Sequence, residues 1–562
     1  MINKHQIEPH QLIVEFCKQN YGFILMNIML KTLSSIFHIL IPLSLGWFYE
    51  IIFRKGGTKL HILDQLLENP FSLEAFFIAF AILLSCYTLC SYYSEYFARK
   101  LNEKFTFTLR NRLVEAQLNH TIATNRQKSF GKYLLRFSGD LSNVQNIPRF
   151  AIVNPVADAL FLMFLFGLAL SFSVTLLYFE LIICFIFFLS LILLNSRIKT
   201  ITQARRDQLS INLNWITNRL ANFDTVQLFN RSRLENKRFI KKSTQLYKRG
   251  LAYAGSISLM KTLPKLFFNL QLIGLLLLIS YMNRDQQVIE ARNAIAFILI
   301  AFYTRSPLNR MYMLKAKWEI AIVSLYKISG IINQPKEAYV LSPFNFNNSV
   351  IEFKNLSFDY PLTNVFRSLN LVINPKSITL ISGAFLTGKT TLIKLLTQQL
   401  NPNHGHILID GKDLSSLQVA TWRKQFTLIA DGYDFIGTTL FEALSYSKTS
   451  KKQMKAIELI HRFGLDQKQS GQDLLDLKLE QFNSQSSNQE KILFKFIRSF
   501  LSDKPLVIID DLFHQLDPKY QEKIGQFLQE LKSKKTVIIT SNQEIKSLHH
   551  DHQYTLPSIS SH

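Results

Sequence analysis

The chain has 562 residues, a formal charge of +24 and four cysteines, and 48% of it is hydrophobic. That length exceeds one compact core. The positive charge forms neither a groove-like patch nor an RNA-binding motif, which argues against a nucleic-acid partner. Cys17, Cys86, Cys90 and Cys184 have no close metal-ligand spacing and three lie in or beside apolar runs, so they read as small apolar residues, and neither a zinc site nor a disulfide framework is indicated.

The start, Met-Ile-Asn-Lys-His-Gln-Ile-Glu, has no apolar stretch before a small-residue cleavage site, so the first membrane helix is expected to do the targeting. A helix needs about 20 mostly apolar residues to cross the ~30 Å hydrocarbon core. Six stretches qualify, at 23–53, 71–97, 151–174, 175–196, 254–282 and 294–313, the third and fourth forming a tight hairpin. Long links follow the second and fourth, and both are rich in Lys and Arg, among them Arg99, Lys100, Arg110, Arg112 and Arg149 in the first and Arg205, Arg206, Arg219, Arg231 and Lys248 in the second. Basic excess marks the cytoplasmic side, so both termini and both links are expected there. Arg54, Lys55 and Lys59 in the first short loop point the other way and are outnumbered. Apolar residues at helical spacing in the long links predict that the membrane helices continue into the cytoplasm as rods.

From about Val350 onward short apolar runs alternate with polar segments, as in a soluble α/β domain. The run from Ser377 to Ser382 is followed by Gly383-Ala-Phe-Leu-Thr-Gly388-Lys389-Thr390-Thr391 and then by a helical pattern. This is a strand, a phosphate loop and a helix. Backbone N–H groups of Gly383, Ala384, Phe385, Leu386, Thr387, Gly388, Lys389, Thr390 and Thr391 would cradle a polyphosphate, Lys389 would reach its β and γ groups, and Thr390 would ligate Mg²⁺. Further on, Pro505 leads an apolar strand ending in Asp510-Asp511, the first carboxylate expected to hold Mg²⁺.

In this order the motifs resemble the ATP-binding-cassette (ABC) exporters over nearly the whole chain. The resemblance adds Phe358-Asp-Tyr360-Pro, with Tyr360 as the platform for adenine; the hairpin Gly405 to Leu414; Gly437-Thr-Thr-Leu-Phe-Glu-Ala-Leu, opening a helical subdomain; His514-Gln-Leu-Asp517 after the second strand; and Phe130 to Asp140 in the first long link. It implies an all-α transmembrane domain of six helices, type I exporter-like, followed by an α/β P-loop NTPase domain. The expected divisions are a cytoplasmic segment 1–20, a transmembrane domain 21–315, a linker 316–348, a nucleotide-binding domain 349–550 and a tail 551–562. It also implies ATP and Mg²⁺ as cofactors, a homodimer or a heterodimer with a homologous half-transporter, a lipid bilayer, and residence in a bacterial inner membrane.

Four positions depart from the family pattern. The LSGGQ signature falls on Ser486 to Glu490, where Ser487 alone survives and no glycine remains. The Q-loop glutamine falls on Ala430, with Asp431 beside it as a stand-in. The catalytic glutamate is Asp511, one methylene shorter, which displaces its carboxylate by on the order of 1.5 Å where ~1 Å can cost ~10²-fold. The switch histidine falls on Ser541. Together these predict a site that binds nucleotide and hydrolyses it slowly or not at all. Glu180, Lys261, Lys265 and Arg292 are charges in or near the spans, read as helix-end snorkelling in preference to a cargo site. The transported substrate is not legible.

Overall fold

The computed structural model describes residues 8–53, 73–121, 136–171, 174–284, 291–335, 344–346, 348–361, 363–446, 449–467, 469–542, 545 and 548–557. It divides into two units, one holding the apolar helices and one most of the chain after Gln334.

The first unit opens with α1 (Pro9–Gln19), whose Leu12 and Phe16 are buried. Among the described residues six long helices follow: α2 (Tyr21–Phe53), α3 (Leu73–Leu118), α4 (Asn154–Leu170), α5 (Val174–Ala221), α6 (Ser232–Arg284) and α7 (Ala291–Ile332). Helical turns from Arg136 to Val153 lead into α4. The six predicted spans each fall on one of these helices, and the break between Leu170 and Val174 separates the third from the fourth. Four of the six hold a described stretch long and apolar enough to cross a membrane, and α5 carries the shorter apolar run Leu177–Ser190. At about 1.5 Å per residue, the 46 residues of α3 and 53 of α6 far exceed the bilayer core, so both helices continue well past a single span. The far ends of α5 and α6 are joined through a short helix, Phe223–Leu228, and clasp each other. Trp215 stacks on Phe239 at 5.5 Å, and Arg219 reaches Glu235 at 2.9 Å. The basic loop at Arg54 to Lys59 and the motif part Phe130 to Leu135 lie outside the described residues.

The membrane unit holds charges the sequence reading did not single out. Asp158 on α4, 2% exposed at its side chain, takes both Nε and Nη2 of Arg310 on α7 at 2.8 and 2.7 Å. Pairing offsets the cost of removing both charges from water. Glu180 is wholly buried and accepts from Gln271 on α6, so it packs inside the bundle and does not snorkel. Lys261 and Lys265 are exposed. The side chain of Arg292 lies outside the described residues.

The described residues of the second unit form two sheets. An antiparallel one runs β2-β1-β4-β5, with β1 (Ile351–Tyr360), β2 (Thr363–Ile373), β4 (His404–Ile409) and β5 (Lys412–Asp413). A parallel one runs β6-β7-β8-β3-β9, with β3 (Ile378–Ser382), β6 (Phe426–Ala430), β7 (Leu506–Asp510), β8 (Thr536–Ser541) and β9 (His552–Thr555). Strands β3, β7 and β8 are buried along their whole length, which is why they read as continuous apolar runs. Three helices matter to the site: α8 (Lys389–Leu396), α9 (Asn488–Leu501) and α10 (Pro518–Lys532). Trp422, fully buried, donates to the Leu396 carbonyl at 2.8 Å and ties the core to the end of α8.

Two expected boundaries shift. The segment 316–348 is not uniformly a linker: α7 continues through it to Ile332 because buried Ala321, Leu325 and Ile328 keep a helical stripe, and Phe346 already belongs to the core around Trp422. Nor is 551–562 only a tail. Residues 552–555 form β9, pairing in parallel with Thr379 to Ser382 of β3.

Candidate functional site

Parallel register gathers the site at one edge of the sheet. Ala430 pairs with Asp510, Asp510 with Thr540, and Ser382 with Ser541, so the carboxyl ends of β6, β7, β8 and β3 lie side by side. This edge is where open α/β sheets bind ligands.

The loop from Gly383 to Gly388 leaves β3 here. Gly388 has φ +91°, and a Cβ on it would lie 2.5 Å from Val365 Cγ1 and 2.8 Å from Phe366 Cζ, so the turn into α8 requires glycine. A Cβ on Gly383 would meet Thr387 Oγ1 at 2.6 Å. Thr387 is buried and donates to the Ala384 carbonyl at 3.0 Å, whereas Phe385 and Leu386 project outward, Leu386 at φ +70°. Lys389 Nζ donates to the carbonyls of Gly383 and Ala384, each at 2.7 Å. Burial pulls its ammonium below the ordinary lysine range, while Asp511 and Asp510 oppose that shift.

Asp510 is buried at the end of β7. It accepts from Thr540 Oγ1 at 2.7 Å and from Thr390 Oγ1 at 3.3 Å, and burial raises its carboxyl above the usual range against those two bonds. Thr390 and Asp510, separated in sequence, are thus brought together. Thr391 is buried within α8, and Tyr360, at the end of β1, places its hydroxyl 3.4 Å from Thr391 Oγ1 with its ring edge-on to Phe358.

Asp511 sits in the left-handed region at φ +54°, strain held by its N–H bonds to the carbonyl and hydroxyl of Thr540. Its carboxylate is occupied. Oδ2 accepts from Asn542 Nδ2 at 2.6 Å, Oδ1 accepts from Asn542 N at 3.2 Å, and His514 Nδ1 lies 3.3 Å from Oδ1.

Two of the candidate positions are buried strand ends. Ser541, expected at the switch position, is the last residue of β8 and has no exposed surface, while Asn542 directly after it meets Asp511. Ala430 is likewise the buried last residue of β6, and Asp431 is the first side chain to leave the sheet, 93% exposed. Lys495 on α9, itself buried, donates to the Ala430 carbonyl at 3.3 Å and fixes this strand end. Sequence reading missed Asn542, Thr540 and Lys495, and named His514 only within a motif, without its approach to Asp511. The cue available was the run of small hydroxyl residues Thr540-Ser541, which a fully buried strand accommodates before its first outward side chain.

Ser487 is the N-cap of α9. Its Oγ accepts from Glu490 N at 3.2 Å, and the Glu490 carboxylate returns to Ser487 N at 2.7 Å and to its Oγ at 3.0 Å, a closed capping box. The helix start that should attract a phosphate already holds an anion from its own chain.

The comparisons with known proteins agree with this geometry. The family described as "ABC transporter transmembrane region" matches residues 24–308. The chain is an ABC transporter. A second family pattern, described as "ABC transporter", matches residues 366–514 of the same transporter, so the transmembrane and nucleotide-binding domains are fused in one half-transporter chain of the exporter type. It is 22% identical over 460 residues to the ATP-dependent lipid A-core flippase of Salmonella typhimurium (strain LT2), covering 81% of this chain and 79% of that one, and 21% identical with the same coverage to the flippase of Escherichia coli K12. Among solved structures, a bacterial Atm1-family ABC exporter with ATP bound shares the fold at a TM-score of 0.81 and 15% identity, covering 96% of this chain and 94% of that one. The ABC transporter is therefore an integral membrane protein with a nucleotide-binding domain of the ATP-binding type.

Proposed function

We propose that this chain is a subunit of a dimeric exporter of a bacterial inner membrane, with both termini in the cytoplasm, and that it binds ATP with Mg²⁺ tightly and hydrolyses it slowly. The phosphate loop carries the proposal: Gly383 and Gly388 leave no room for side chains, and Lys389 is placed to exchange loop carbonyls for phosphate oxygens. Ala384, Phe385, Leu386 and Thr387 supply the rest of the loop, Thr391 continues it into α8, and Tyr360 offers a stacking face. Thr390 and Asp510 fit a magnesium ion, which is held in such sites by few protein oxygens and the phosphates. When bound, Mg²⁺ neutralises charge developing on the phosphoryl oxygens.

Slow hydrolysis follows from the chain's own groups. Asp511 is short and clamped by Asn542, and Glu490 occupies the signature helix start that Ser487 would offer to a partner's nucleotide. Nucleotide-dependent closure of two such domains would drive alternating access by favouring one conformation.

The closed capping box favours a second reading, a non-hydrolysing scaffold or the noncatalytic half of a heterodimer. ATP binding and turnover of the purified full chain in lipid nanodiscs separate the two. The leading reading expects micromolar or tighter Mg·ATP binding and a measurable turnover below ~1 s⁻¹, the low end for enzymes. Tight binding with no turnover selects the second reading, and absence of binding removes both.

A further inference from the structure

The fold puts a histidine where the strand end has none. His514 lies in a short turn, Phe513–Gln515, after β7, and its side chain keeps 30% exposure. The turn is fixed on both sides. Phe513 is wholly buried, Gln515 donates to the Asp511 carbonyl at 3.1 Å, and Gln521 of α10 donates to the Leu516 carbonyl at 2.7 Å. This aims the ring at Asp511, with Nδ1 buried and 3.3 Å from Oδ1 but not aligned with it as a hydrogen bond. A small rotation of the ring would align the pair, and catalytic hydrogen bonds often tighten only once substrate is bound.

We propose that His514, oriented by Asp511, is the proton acceptor for the ATP hydrolysis this site retains; the proposal rests on the reading of the site as one that binds Mg·ATP. Asp511 is poorly suited to the task itself, since Asn542 engages both of its oxygens. An imidazole whose Nδ1–H faces a carboxylate presents Nε2 as the base, the logic of acid–histidine pairs elsewhere. In the step, a water oxygen bonds to the γ-phosphorus. The bond from that phosphorus to the β,γ-bridging oxygen breaks with its electron pair leaving on ADP. The water proton passes to His514 Nε2, and the imidazolium later returns it to solvent. Among the described residues, Asp511 is the charged group against His514, and Lys389 and Asp510 are the ionisable groups that act on Asp511's surroundings from α8 and β7.

The test uses the full chain in nanodiscs and follows ATP turnover from pH 5.5 to 9, alongside binding of a fluorescent ATP analogue. Only a neutral imidazole accepts a proton, so wild-type turnover should fall toward acid pH. His514→Gln should lower turnover about 10²-fold, a usual contribution of a general base, and remove the acid limb while nucleotide affinity stays within twofold. Asp511→Asn should lower turnover and keep the acid limb. Carbethoxylation of His514 by diethyl pyrocarbonate, mapped by mass spectrometry, should slow when Mg·ATP is present. The proposal is overturned if wild type has no turnover, if His514→Gln matches wild type within twofold, if its acid limb persists, or if ATP leaves His514 modification unchanged. Intact ATP binding in the last three cases confines the failure to His514, whereas intact binding with no wild-type turnover also selects the non-hydrolysing reading. Loss of ATP binding would instead sink the reading of the site.

Discussion

Lys389→Ala should weaken Mg·ATP binding at least 10²-fold. Lys389 Nζ spans the mouth of the loop, 2.7 Å from each of two carbonyls, with Asp510 and Asp511 acting on its charge. One hydrogen bond to a charged group is worth about 1.5–3 kcal/mol, and Lys389 would make such a bond to the polyphosphate. Removing it also leaves two carboxylates facing a polyanion without their cation, which adds to the loss. A total of about 3 kcal/mol corresponds to a factor of somewhat more than 10² in Kd. Isothermal titration of the full chain in nanodiscs measures it, with exposed Lys412→Ala in β5 as the control that keeps wild-type affinity. Thermal melting checks that the variant is folded. A folded Lys389→Ala protein whose Kd lies within threefold of wild type would refute the assignment of the loop.

Gly388→Ala should cost about 2–4 kcal/mol, combining a left-handed backbone penalty with overpacking against Val365 and Phe366; a lowered Tm with weakened ATP binding is expected, and an unchanged melt would contradict the geometry. Lys535 tests burial in the nucleotide-binding domain by pH. Its Nζ donates to the Ser502 carbonyl at 2.5 Å, and burial lowers its ammonium to about 8. Because the folded value lies below the unfolded one, the unfolded chain holds more protons between about pH 8 and the ordinary lysine range. The penalty is therefore complete below about pH 8 and fades as pH rises through that window. Lys535→Met should raise Tm at pH 7 and lose the advantage by pH 10; an advantage independent of pH would show that Lys535 is not titrating.

Much of this architecture could be read directly from residues. Six apolar stretches became six long helices, because about 20 apolar residues have no other stable arrangement in a bilayer. The phosphate loop was legible because Gly383, Gly388, Lys389 and Thr390 are each demanded by local geometry. The strand ends were not. In a parallel sheet buried on both faces, Thr540 and Ser541 read equally well as the last strand residues or the first loop residues, and only pairing with Asp510 and Ser382 places Asn542 as the residue that emerges. The same ambiguity put Ala430 forward in place of Asp431. His514 was visible as part of a motif, but its approach to Asp511 depends on the left-handed turn at that residue, which sequence spacing does not reveal. Strand β9 escaped because His-Gln-Tyr-Thr is a short, half-exposed edge with little apolar character.

That edge strand bears on how the protein is made. Leu556, just beyond β9, gives its N–H to the Ser382 carbonyl at 2.8 Å, and its Cβ would lie 3.3 Å from a Cβ added at Gly383. The wall of the phosphate cradle is thus supplied by a residue translated almost a whole domain after the loop it supports. During synthesis the loop and α8 leave the ribosome long before their supporting strand, so nascent chains should acquire nucleotide affinity late, after the rest of the parallel sheet has emerged. Nucleotide binding by a nascent chain would then report a finished sheet.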